Sequence, residues 1–221
     1  LRESSHPASW STPVRIPLRP LFVPLLLTLL PALAACSGST LEPPESFMGV
    51  GVTPPLEKPA EVLTDFNGNP YDIRAETEGS VLLLYLGYTN CPDICPTHLN
   101  NIAKALDDLP EEVTSKIKVV FITADPERDT PEVLKNYLAL FDESFIGLTG
   151  TPDQIVAVEE ELGIPRTTTT DLGDGDYAVN HAAFVMAYGA DNLSHIVFPD
   201  GISNEAWRND LKKLALEGWD E

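Results

Sequence analysis

The sequence predicts an α/β sandwich in which helices flank a central mixed β-sheet. Two unbroken apolar runs, Val81–Leu86 and Lys118–Thr123, have the composition of strands buried on both faces. Segments with apolar residues at helical spacing alternate with them, and two of these segments open on Thr-Pro. The pattern then changes to a pair of short strands and closes on a helix.

In chain order, Val81–Leu86 is the first central strand, and the loop Gly87 to Cys95 follows it. From Pro96, the residues Leu99, Ile102, Ala103 and Leu106 mark a helix, with Pro96 in the first turn, where a missing N–H costs little. Lys118–Thr123 is the second central strand. Thr130 is the expected N-cap of a helix that buries Leu134, Tyr137, Leu138 and Phe141. Thr151-Pro152 repeats that start ahead of Ile155, Val156, Val158 and Leu162, and Gly163 ends the helix. Thr167 to Gly175 reads as an exposed polar loop. Ala182–Tyr188 and Leu193–Phe198 are two strands joined by Gly189-Ala-Asp-Asn192, a hairpin signal. The last helix runs from about Asn204 to Leu216 and buries Trp207, Leu211 and Leu214. This is the element order of a thioredoxin-like α/β sandwich.

The chain has 221 residues, and residues 1–35 look like an address. Arg15 and Arg19 precede the apolar run Leu21 to Leu33, which Pro24 and Pro31 interrupt. A basic start, a short apolar core and small residues before a cut describe a secretory signal. The run is too short and too broken for a spanning helix, which needs about 20 apolar residues. Its ending, Leu33-Ala34-Ala35-Cys36, resembles a bacterial lipobox, so cleavage before Cys36 and lipidation of that cysteine are expected. Ordinary cleavage, leaving Cys36 a stray thiol, is the weaker account of an odd cysteine in an exported chain. Residues 36–59, rich in Ser, Gly, Pro and Glu, read as a flexible tether, and 60–221 as one domain with its domain on the extracytoplasmic side.

The whole chain carries 14 Lys+Arg and 34 Asp+Glu. Residues 1–35 hold Arg2, Arg15 and Arg19 against Glu3, leaving 11 basic and 33 acidic residues, a net of −22. Such a surface repels nucleic acid and anionic lipid, which argues against a polynucleotide partner. A basic protein partner or general cation attraction fits it, but a solvated acidic surface serving solubility is the simpler reading.

Cys91-Pro-Asp-Ile-Cys95-Pro stands between the first central strand and the following helix. A dithiol there can close as a structural disulfide, exchange with other disulfides, or bind a soft metal. The exposed N–H groups and dipole of the helix N-terminus lower a thiol pKa and serve both redox and metal chemistry. Thioredoxin-type oxidoreductases place two residues between the cysteines; the three here make a wider loop, stiffened by Pro92 and Pro96. A metal needs a further ligand. His6 lies in the leader, His98 on the helix is expected to face solvent, and His195 inside the hairpin reads as surface or packing. His181, at the start of a strand, is evenly balanced between a ligand and a hydrogen-bonded structural histidine. Two thiolates and one imidazole suit copper, whereas zinc would want a fourth ligand.

Three segments in order, Gly87-Tyr-Thr-Asn-Cys91-Pro-Asp-Ile-Cys95-Pro, Asp125-Pro-Glu-Arg-Asp-Thr-Pro131 and Val179-Asn-His181, resemble the Sco/SenC family. The resemblance covers roughly residues 50–218. It implies a membrane-tethered, thioredoxin-like copper protein that helps assemble the CuA centre of cytochrome c oxidase. It also implies that Cys91, Cys95 and His181 hold one copper ion per chain. The partners it implies are the CuA-bearing oxidase subunit, other copper chaperones and thiol reductases. Asp125 is then expected to position the site or a partner, or else to cap the loop before the Thr130 helix; Arg128 with Asp129 reads as a local ion pair. Asn180 departs from the family's aspartate, which alters the polar surroundings of His181. The alternative function is a thiol–disulfide oxidoreductase that uses Cys91 and Cys95 to keep the CuA-site cysteines reduced. A peroxiredoxin-type peroxidase is weaker, because neither cysteine has the Pro-X3-Thr-X2-Cys setting.

Overall fold

The computed structural model describes residues 46–219. The leader, the lipobox, Cys36 and the tether as far as residue 45 lie outside the described residues.

The strands are β1 (Val50–Glu57), β2 (Val62–Asp65), β3 (Pro70–Asp72), β4 (Val81–Gly87), β5 (Ile117–Thr123), β6 (Ile146–Thr149), β7 (Thr168–Gly173), β8 (Asp176–Asn180), β9 (Phe184–Tyr188) and β10 (Leu193–Pro199). The helices are α1 (Ile73–Glu76), α2 (Ile94–Asp107), α3 (Glu111–Thr114), α4 (Pro131–Leu138), α5 (Pro152–Glu161) and α6 (Asn204–Leu216). Eight strands form one mixed sheet in the order β1-β10-β9-β4-β5-β6-β2-β3, and β7 with β8 forms a separate ribbon. Within the large sheet β4 pairs in parallel with β5 and β5 with β6. β9 runs antiparallel to β4, with Tyr85 opposite Val185, so the C-terminal end of β4 and the N-terminal end of β9 meet at one edge.

All seven residues of β4 are buried, as its unbroken apolar run requires. Burying each of its leucines stabilises the fold by about 1.5–3 kcal/mol. α2 and α6 pack against one another, and Trp207 of α6 stacks its ring on Phe198 of β10 at 4.0 Å. Thr130 caps α4 by accepting from the Val133 N–H at 3.3 Å. Thr151 and Gln154 form a reciprocal capping box on α5. α4 lies close on β6: a Cβ on Gly147 would come within 2.9 Å of Leu138 Cδ1.

The structure corrects the sequence in several places. Val50–Glu57, read as tether, is an edge strand paired with β10. Pro54 and Pro55 hid it. They fall in an irregularity between the Gly51 and Leu56 pairings, where an edge strand tolerates prolines. Thr167–Gly175, read as a loop, contributes β7, whose six residues are all exposed. A strand without a buried face has no apolar alternation to read. The hairpin of β2 and β3, the short strand β6 and the one-turn helices α1 and α3 carry too few residues for a periodic signal.

Candidate metal centre

β4 ends at Gly87, and the chain turns through Tyr88–Cys91 before α2 begins. Asp93 is the N-cap of α2 but gives no side-chain cap, so the first-turn N–H groups remain available. One of them, Cys95 N–H, donates to Cys91 Sγ at 3.4 Å. Cys95 sits in the first turn with its side chain fully buried against the end of β4, and Tyr85 Oη donates to its sulfur at 3.4 Å. Gly87 makes this approach possible, since a Cβ there would lie 2.8 Å from Cys95 Sγ and 2.8 Å from Phe121.

His181 reaches the thiols from the other side, directly after β8. Its Nε2 lies 3.5 Å from Cys95 Sγ. Its Nδ1 lies 3.0 Å from the Ala182 carbonyl. Donation by Nδ1 to that carbonyl leaves the Nε2 lone pair facing the sulfurs. Tyr88 stands edge-on to the imidazole at 5.5 Å, and Tyr85 at 6.1 Å. Among the described residues, Cys91, Cys95 and His181 are the one group of three or more potential metal-ligating side chains, with ligand atoms within 4.8 Å of one another.

The two thiols are free and electrostatically unlike. The hydrogen bond from the Cys95 thiol, with those from the Asp93 and Cys95 N–H groups, pulls the Cys91 pKa down to about 4 against the opposing effect of burial. Burial pushes the Cys95 thiol up, and the nearby Cys91 sulfur adds to that.

His98 does not face solvent. It is buried beside Tyr85 at 5.2 Å and Trp207 at 6.5 Å, and burial lowers its pKa. The helix face it occupies is the one α6 covers, which periodicity along α2 alone could not reveal. His195 lies flat on Trp219 at 4.5 Å and contacts Asp191 at 2.8 Å, outside the cluster.

Asp125 is buried at the end of β5, where it accepts from Tyr177 Oη at 2.9 Å and pairs with Arg128 Nε. Its carbonyl also accepts the Asp129 N–H at 2.9 Å, so it shapes the loop before α4 as well. The expected Arg128–Asp129 ion pair is not what forms. Arg128 instead engages Asp125 and, at 3.2 Å, Asp176. Asp129 turns inward to Thr89 and Thr123. Asn180 bonds across the ribbon to Thr170 Oγ1 at 3.0 Å and toward Thr168, rather than to His181. Sequence reasoning missed Tyr85 and Tyr177, and it named Gly87 only as a motif residue and Asp129 only as half of an ion pair. Of these only Gly87, at the end of an apolar strand and ahead of the dithiol, carried a local signal.

The SCO1/SenC family model matches residues 58–216. The mitochondrial protein SCO2 of Saccharomyces cerevisiae is 42% identical over 123 residues, 55% of this chain and 40% of that protein. The chain aligns with 62%, 40% and 62% of the length of three curated relatives, less than two thirds in each case. The structure of Bradyrhizobium japonicum ScoI with copper bound is 33% identical with a TM-score of 0.63, covering 75% of this chain and 99% of that one. BsSco, at 19% identity and a TM-score of 0.56, covers 76% and 99% respectively and shows the fold alone. The family match spans well over half of the chain and takes in the loop, the helix and the ribbon that together build the three-residue cluster: the chain belongs to the SCO1/SenC family.

Proposed function

We propose that this chain is a copper metallochaperone, tethered to a membrane through Cys36, that carries one copper ion between Cys91, Cys95 and His181. Its recipient in this reading is the CuA-bearing subunit of cytochrome c oxidase, whose centre it helps assemble. The observation that carries the reading is the donor set: two sulfurs and an imidazole nitrogen, all within 4.8 Å. Soft thiolate ligands with one imidazole select copper, and three-coordination leaves room for an incoming thiolate of the recipient. The B. japonicum relative, 33% identical and solved with copper bound, supports the same cargo. Among the described residues no helix is long and apolar enough to cross a membrane.

His181→Ala should weaken copper binding sharply and leave the dithiol able to form a disulfide. Unchanged affinity and an unchanged visible spectrum would remove His181 from the ligand set. Transfer is tested by mixing the copper-loaded chain with an apo CuA domain and following the CuA absorption.

A second reading, thiol–disulfide exchange, is favoured by the unlike thiols. Cys91, with its pKa near 4, is the ready nucleophile. Its thiolate attacks one sulfur of a recipient disulfide, releasing the other as a thiolate. Cys95 then loses its proton and attacks the Cys91 sulfur, so the recipient gains two electrons and this chain closes a Cys91–Cys95 disulfide. Mixing the reduced, metal-free chain with an oxidised CuA domain and scoring free thiols separates the two. Activity in this assay alone makes exchange the primary function.

A further inference from the structure

The dithiol and His181 reach the centre on separate parts of the fold. Cys91 and Cys95 belong to the junction of β4 and α2, inside the large sheet. His181 follows a two-stranded ribbon that pairs with no strand of that sheet. The pairing of β9 with β4 brings the chain beyond His181 to the dithiol end of the sheet, but His181 itself lies between β8 and β9 in no paired strand. A metal site tolerates little change in the remaining gap.

One short segment touches both parts. Asp129 is fully buried, and its Oδ2 accepts from the Thr89 N–H at 2.9 Å and from Thr123 Oγ1 at 2.7 Å. Its Oδ1 accepts from Thr89 Oγ1 at 2.5 Å. Thr89 lies two residues before Cys91, so this carboxylate ties the dithiol loop to the end of β5. Arg128 points the other way. Its guanidinium carbon lies 3.7 Å from the centre of the Tyr177 ring, and Nη1 donates to the Tyr177 carbonyl at 3.0 Å and to Asp176 at 3.2 Å. Asp125 closes the arrangement by accepting from both Tyr177 Oη and Arg128 Nε. The guanidinium carbon also lies 5.9 Å from the centre of the Tyr88 ring, and that ring meets His181 edge-on.

We propose that residues 125–129 form a brace that fixes the gap between the two halves of the ligand set, with Arg128 positioning His181 through β8 and Asp129 positioning Cys91 through Thr89. Neither residue touches the metal. A planar guanidinium suits the first arm because it stacks and donates at once, which a lysine cannot do. A buried carboxylate with three donors suits the second because it is satisfied in one geometry. The inference rests on the ligand assignment in the proposed function.

The test uses the full chain, reduced, with a copper(II) salt as probe and His181→Ala alongside. Arg128→Gln should lower copper affinity about tenfold, the lower end of the loss seen when a group that orients a metal ligand is removed. It should shift the thiolate-to-copper absorption band while leaving the dithiol–disulfide midpoint potential at the wild-type value. Asp129→Asn should move that potential as well as the copper band. Arg128→Gln with wild-type affinity and band overturns its arm, and so does a change of dithiol potential as large as that of Asp129→Asn. An unmoved potential in Asp129→Asn overturns the other arm. If Arg128→Gln does not fold, Tyr177→Phe carries the test, because it keeps the ring and loses only the bond to Asp125; a wild-type band there counts against the brace. Copper binding that survives His181→Ala overturns the ligand assignment instead.

Discussion

Cys91 and Cys95 bear one functional group in two environments. Cys91 receives hydrogen bonds from the Cys95 thiol and the open first turn of α2, and its pKa falls to about 4. Cys95 is sealed under Tyr85 and Gly87, and burial raises its pKa. Alkylation follows the thiolate fraction, so the iodoacetamide rate at Cys91 should rise through about pH 4 and be flat from roughly pH 6 to 8, where an ordinary thiol still climbs toward 8.5. Cys95 should stay unlabelled over that range; peptide mapping of the labelled chain distinguishes the sites. A Cys91 rate that keeps rising to pH 8 would contradict the assigned environment. The cysteines and the helix start were legible in the sequence. Which sulfur would be acidic was not, because that depends on how deeply α2 seats on β4.

At the scale of elements, the seating of α2 is set where Gly87 meets Cys95. A methyl group on Gly87 would lie 2.8 Å from Cys95 Sγ and from Phe121, both fully buried. Gly87→Ala should therefore destabilise the fold by about 1–3 kcal/mol, the usual range for overfilling a core, and displace Cys95 from His181. Chemical denaturation reads the first effect and copper titration the second. A variant with native stability and native copper affinity would show that α2 can shift freely. β4, α2, α4, α5 and α6 were legible because each buries one continuous stripe or face. The ribbon was not: the exposed residues of β7 gave nothing to read, although β8 delivers His181. The same lack of pattern hid the partners of Asp125 and Arg128, which are set by β8 packing beside the end of β5, some 48 to 52 residues further along the chain.

For the molecule as a whole, the acidic balance and the resemblance of three separated motifs were visible in composition and order, and the family match agrees with the resemblance. Sequence could not show that the motifs converge, since Cys95 and His181 stand 86 residues apart and meet only in the folded chain. That separation has a thermodynamic consequence. An unfolded chain still holds Cys91 and Cys95 four residues apart and still chelates soft metal through them. A ligand stabilises a fold only by the excess of its affinity for the native state over the unfolded one. Copper should therefore raise the unfolding midpoint by less than its affinity for the native protein implies. His181→Ala should remove most of that rise while leaving the denatured chain's grip on the metal unchanged. In a melt followed with and without copper, the shift gauges the histidine and the geometry that brings it in, while the cysteine pair, present in both states, largely cancels.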